Sequence, residues 1–309
     1  MKKHTIGTLN AALAAVSYGT NPLFAIPMFN LGIGVNSVLF YRYFLATIIY
    51  FVWLKFAKKT CMKVTKEQVF CLFLVSVVFS LSSLLLFDAF NYMPSGLACT
   101  ILFIYPIFVA LIACLFRQEK ITSKVIMAMF FTTFGIFSLY NGDIKLSTKG
   151  IVLVLLSGLC YAVYMVAIKS IKPLKRLKSE ALSFYVMLLG LSVYIVNLKF
   201  CTQLQPLNSP LCVCCALGLA ILPTIISLET IAIGIKLIGA TKTAVIGALE
   251  PLTALFFGIL LFKEVLTLKI VFGIILIFVG VNLVIFNKKA WNIPLIGFQK
   301  FQYRYLFLK

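Results

Sequence analysis

The sequence predicts an all-α integral membrane protein whose ten transmembrane helices form two inverted five-helix repeats. Three observations carry that expectation. They are an apolar composition cut into span-length runs, an uneven placement of basic residues, and a doubling of landmarks between the halves. The chain of 309 residues is 62% hydrophobic and only 12% charged, with a mean hydropathy of +1.08. Soluble domains lie nearer about half apolar and about a quarter charged, so this length does not argue for two soluble domains.

A membrane-crossing helix takes about 20 mostly apolar residues. Ten runs qualify: 6–28, 37–56, 69–92, 95–116, 125–140, 150–168, 181–198, 211–235, 239–262 and 268–286. The opening "MKKHTIGTLNAALAAV" has the basic-then-apolar look of a signal peptide, yet the apolar run continues to Met28 without a convincing cleavage site. It reads as an uncleaved first helix.

The net charge of +20 raises the question of a nucleic-acid partner. The basic residues lie in short clusters between apolar runs, which fits juxtamembrane loops and excludes nucleic acid. With the N-terminus inside, the cytoplasmic side receives Lys2 and Lys3, the cluster Lys55 to Lys66, Lys120 and Lys124, the cluster Lys169 to Lys178, Lys236 and Lys242, and the basic tail. Only Lys145, Lys149, Lys199, Lys263 and Lys269 fall outside, so both termini are expected in the cytoplasm. Most of the nine cysteines sit inside apolar runs, where they act as small hydrophobes, and "CVCC" (Cys212 to Cys215) lacks zinc spacing. His4 is the only histidine, so neither a metal site nor His-based catalysis is expected, and no cofactor.

The halves repeat. Pro106 and Pro251 are 145 positions apart, as are Glu119 and Glu264, and Gly135 and Gly280; Gly7 matches Gly150 and Tyr18 matches Tyr161 at 143. Helices one to five therefore recur as six to ten, and an odd number per repeat forces opposite membrane senses. That arrangement, with proline-interrupted helices, is a mark of secondary transporters, whose sites lie near the bilayer midplane between repeats. The domains are then 1–142, 143–287 and a basic, aromatic tail, 288–309, which either lies on the cytoplasmic surface or is disordered.

"SGLACTILFIYPIFVALIACLFRQEKIT" (Ser95 to Thr122) and "GATKTAVIGALEPLTALFFGILLFKEVLT" (Gly239 to Thr267) resemble the two copies of the EamA-type repeat of the drug/metabolite transporter superfamily. "VLFYRYFLA" (Val38 to Ala46) is similar to the family's second helix, where an arginine is usual. The resemblance implies a ten-helix carrier in an inner or plasma membrane, often an exporter of amino acids or other small metabolites. No GxxxxGK[ST] signature is present, so transport is expected to be secondary.

Ionisable groups inside spans are costly and are functional candidates by default. Four qualify: Arg42, Asp88, Glu229 and Glu250, each facing an uncharged partner in the other repeat (Glu250 faces Tyr105). Glu250 lies eleven residues beyond Gly239, roughly 16 Å deep, and is the leading substrate or coupling-ion site. Burial there raises a carboxyl pKa unless a cation attends it. Arg42 and Asp88 lie roughly 6–8 Å from the outer face and either pair as a gate or anchor separately. Glu229, near Thr224, Ser227 and Thr230, is a further cavity candidate. Pro106 and Pro251 each remove a backbone hydrogen bond and free a carbonyl one turn earlier, giving a hinge or a passive kink. Glu119 and Glu264 read as interfacial structure. Tyr18, Tyr105, Tyr161 and Tyr164 are candidate cavity walls, and the Asn21 and Asn91 amides need partners in hydrocarbon.

The expected function is secondary export of a small metabolite, such as an amino acid or related compound. A proton or other ion is the candidate co-substrate, the lipid bilayer is the medium, and the protein is a monomer or homodimer. The alternative is a flippase for a lipid-linked or amphiphilic substrate. A membrane enzyme is not expected, because the spans lack a nucleophile–base pair.

Overall fold

The computed structural model describes residues 2–59, 62–93, 95–116, 122–139, 147–262 and 268–285. Glu119, Glu264, Lys145 and the tail from Trp291 to Lys309 lie outside them. Every regular element among the described residues is helical. The α-helices are α1 (Lys2–Tyr18), α2 (Asn21–Asn30), α3 (Val35–Val52), α4 (Lys66–Ala89), α5 (Ser95–Leu102), α6 (Tyr105–Leu115), α7 (Ser123–Leu139) and α8 (Thr148–Ser170). They continue as α9 (Lys172–Lys175), α10 (Ser179–Asn197), α11 (Pro210–Ala220), α12 (Ser227–Ile238), α13 (Ala240–Ile246), α14 (Leu249–Phe262) and α15 (Leu268–Ile285). Two π-helical stretches, Trp53–Ala57 and Ile221–Ile226, prolong α3 and join α11 to α12.

This is a multi-span membrane protein. Among the described residues five helical stretches are long and apolar enough to cross a bilayer: Val35–Ala57, Lys66–Ala89, Thr148–Ser170, Ser179–Asn197 and Pro210–Ile238. Three other apolar runs, expected as continuous helices, are each broken in two. α1 gives way to α2 at Gly19–Thr20, α5 to α6 at Phe103–Ile104, and α13 to α14 at Gly247–Ala248.

The breaks set where the prolines lie. Pro106 and Pro251 do not kink continuous helices. Each lies in the first turn of a new one, where an absent N–H leaves nothing unpaired. Nor does Pro251 open a carbonyl, since the Glu250 N–H donates to Gly247 O at 2.9 Å. Pro22 stands likewise in the first turn of α2.

The packing of α1 inverts the soluble pattern, with large apolar residues outward and small ones inward. On α1, Leu9 is 65% exposed while Ala11 is 1% exposed, and Leu13 and Val16 share the outer face with Leu9 while Ala14 and Ala15 share the inner one. Helices in hydrocarbon gain little from burying leucine against each other, so close backbone approach through small residues decides the seam. α1 packs this way on α12, α4 packs on α8, α3 on α10, and α7 on α15.

Candidate functional site

The three breaks meet. Gly19 closes on the restart of α14 so tightly that a Cβ there would stand 2.5 Å from Glu250 O. From the restart of α6, the Tyr105 hydroxyl donates to Ala244 O of α13 at 3.1 Å. Between them opens a small pocket. Its walls are mainly apolar and aromatic, including Leu86, Phe87, Phe90 and Phe103, and its polar residues include Glu250 and Asn21.

Glu250 is half-buried. Among the described residues its carboxylate has neither a hydrogen bond nor an ion pair, and the charge it feels is that of Arg42. Asn21 is 7% exposed, and both its amide nitrogen and its amide oxygen lack partners among the described residues. An amide left unpaired in an apolar wall costs about 1–3 kcal/mol.

Arg42 is completely buried. It does not pair with Asp88, and it does not anchor at an interface. Its Nε donates to Thr224 Oγ1 at 2.6 Å and its Nη2 to Pro223 O at 2.9 Å. Pro223 explains that acceptor pair. Its missing N–H disturbs the backbone ladder, the chain widens into a π turn, and the Thr224 hydroxyl donates to Leu219 O at 2.7 Å in compensation. The guanidinium carbon lies 5.5 Å from the Tyr18 ring centre and 6.0 Å from that of Phe87, while Nη1 has no partner among the described residues.

Asp88 is half-buried and accepts instead from Asn91 Nδ2 at 3.1 Å; Asn91 itself is exposed and is not part of the Glu250 cavity lining. Glu229 is not in the Glu250 cavity either. It pairs with Lys58 at 3.1 Å, and Glu180 joins the same ammonium at 3.4 Å. Burial pulls the Lys58 pKa down, but hydrogen bonding and attraction to Glu229 and Glu180 outweigh it and hold the ammonium above its ordinary value. Tyr161 stacks on Tyr18 at 6.4 Å and meets Tyr105 edge-on at 4.9 Å, while Tyr164 lies on Phe79 at 4.6 Å.

Sequence reasoning missed two functional-looking groups, the Pro223–Thr224 turn and Lys58. Proline followed by threonine inside an apolar run was the available signal for the first. Lys58 carries none, because one lysine of a loop cluster looks like the next. Among the described residues no group of three or more His, Cys, Asp or Glu could hold a metal ion.

A multi-span helical bundle, with an unpaired carboxylate and an unpaired amide in a cavity where broken helices meet, defines a membrane transport protein. The family model agrees in its particulars. The chain belongs to the EamA-like transporter family, within the drug/metabolite transporter superfamily, and the model matches it twice, over residues 5–141 and 148–286. An uncharacterized transporter of Synechocystis sp. is 29% identical over 215 residues, 66% of this chain and 63% of that protein, so the match spans less than two thirds of that relative. A solved crystal structure covers 90% of this chain and 95% of its own with a TM-score of 0.75 at 15% identity, a likeness of fold alone.

Proposed function

We propose that the protein is a secondary transporter that exports a small metabolite carrying an ammonium or other cationic head, such as an amino acid or related compound, across an inner or plasma membrane. The single observation that carries this reading is Glu250, an ionisable group without a partner among the described residues, at the junction of three broken helices. Carriers of this kind leave polar groups at interrupted helices for substrate and coupling ion. Glu250 takes the cationic head or a proton, Asn21 offers both a donor and an acceptor, and the phenylalanines face the apolar body.

Ten passes follow when the broken pairs α1/α2, α5/α6 and α13/α14 each count as one. The pairing of α1 with α12 and of α4 with α8 supports an inverted repeat, because each contact maps onto the other when the halves exchange. The basic clusters then put both termini in the cytoplasm. Transport needs no cofactor and no catalytic group.

The test is flux of labelled amino acids and related metabolites from cells that overexpress the protein, with Glu250→Gln as control. The variant keeps shape and hydrogen bonding but has no charge. It is expected to insert normally and to lose gradient-driven export. Wild-type flux with unchanged pH dependence would make Glu250 a packing residue.

A further inference from the structure

The cavity around Glu250 has a neighbour. A second, smaller one is lined by Ala11 and Ala14 of α1, Ser227 and Ile231 of α12, and Thr243 of α13, among others. Three residues line both cavities: Tyr18, Tyr105 and Glu250. Part of the remaining walls comes from opposite halves of a broken helix. Asn21 and Pro22 of α2 face the first cavity, whereas Ala11 and Ala14 of α1 face the second.

We propose that the second cavity is the other half of the substrate route, and that Tyr18 and Tyr105 are the septum that divides it from the first. The proposal rests on the transport reading above. The two rings are held, not merely adjacent. Tyr18 lies parallel to Tyr161 within 13°, and Tyr105 stands edge-on to the same ring. The Tyr105 hydroxyl is further pinned to Ala244 O, directly over Gly247, where any Cβ would overlap it. Glu250 sits in this layer and so borders both chambers.

The chemistry of the chambers differs. In the first, Asn21 offers an unpaired amide. In the second, Ser227 Oγ donates to Ala14 O at 3.1 Å and Thr243 Oγ1 to Gly239 O at 2.7 Å, so each hydroxyl keeps only its acceptor side. Substrate leaving Asn21 would thus pass the tyrosines into a passage whose Ser227 and Thr243 hydroxyls already donate to backbone and whose width alanines set.

Thiol labelling tests this without any substrate. Cys99 lines the first cavity and Thr243 the second. The full chain, with Cys99 kept and the other cysteines replaced, receives Thr243→Cys and is reconstituted in lipid vesicles. The probe is a small cationic methanethiosulfonate reagent, added on the side from which Cys99 reacts. Cys99 is expected to react in every background and so reports folding. Thr243→Cys is expected to react at least about tenfold faster once Tyr18→Ala or Tyr105→Ala removes part of the septum, with Tyr105→Phe intermediate. Adding Ala14→Phe to the Tyr105→Ala background should abolish that gain while Cys99 still reacts. Equal labelling of Thr243→Cys with the tyrosines present or absent overturns the septum. So does a Thr243→Cys that stays unreactive in all backgrounds while Cys99 reacts. Either failure leaves export itself untouched. A normal labelling pattern with no flux of any candidate metabolite would instead sink the transport reading.

Discussion

Arg42 carries a full charge at zero exposure, and its position depends on two acceptors that a single proline creates. Without Pro223 the Leu219 carbonyl would be satisfied within the helix, and the Thr224 hydroxyl would have no call on it. The hydroxyl serves both as donor to Leu219 and as acceptor for Nε, so losing it orphans two buried groups. Thr224→Val, nearly isosteric, should therefore destabilise the protein by about 1–3 kcal/mol, while Thr224→Ser should recover most of the loss. Thermal unfolding of purified protein in detergent reads both. The same geometry separates Arg42 from Asp88. Arg42→Ala should be strongly destabilising because it removes a buried, hydrogen-bonded cation, whereas Asp88→Ala removes a contact to exposed Asn91 and should be mild. Their double mutant should be additive within about 0.5 kcal/mol, as for residues that share no partner.

At the scale of elements, the breaks decide what each proline does. Pro106 and Pro251 occupy first turns, so alanine at either should change stability by less than about 1 kcal/mol. Pro223→Ala differs. It restores an N–H inside the Ile221–Ile226 π turn, favours a regular ladder and withdraws the acceptors from Arg42. It should unfold at a temperature close to that of Thr224→Val, and a Pro223→Ala protein as stable as Pro106→Ala would count against the account of the π turn. Much of this level was legible in the sequence. Apolar runs locate the helices, because span length and hydropathy are properties of local composition. Glu250 was legible too, since an acid in the middle of an apolar run has few bland explanations. The helix breaks were not. They depend on Gly19 closing on Glu250 and on Tyr105 reaching Ala244, contacts between segments far apart in sequence. The Arg42–Asp88 guess failed for the same reason. Similar depth on consecutive helices says nothing about which way each side chain faces, and the true partners of Arg42 come from a residue stretch some 180 positions away.

At the scale of the molecule, one cation ties three helical segments together. Lys58, just beyond the π-helical end of α3, reaches Glu180 at the start of α10 and Glu229 in α12, and its ammonium lies 4.5 Å from the Trp53 ring centre. Arg42 joins the α3 helix to the π turn before α12, so α3 is fixed to that stretch at two levels. The Lys58 side chain is 38% exposed, so each ion pair contributes at most about 1 kcal/mol after solvent screening. The pH dependence follows from the raised Lys58 pKa. A lysine held above its unfolded value adds stability that is fully present below the unfolded value and is lost as pH rises through the folded one. The melting temperature should thus keep the Lys58 contribution through neutral and mildly alkaline pH and lose it only above the ordinary lysine range. Lys58→Met keeps the stem but has no charge to lose, so its curve should start lower at neutral pH and converge on wild type at high pH. Parallel curves across the whole alkaline range would mean that the ion pairs seen at Lys58 contribute nothing to holding these helices together.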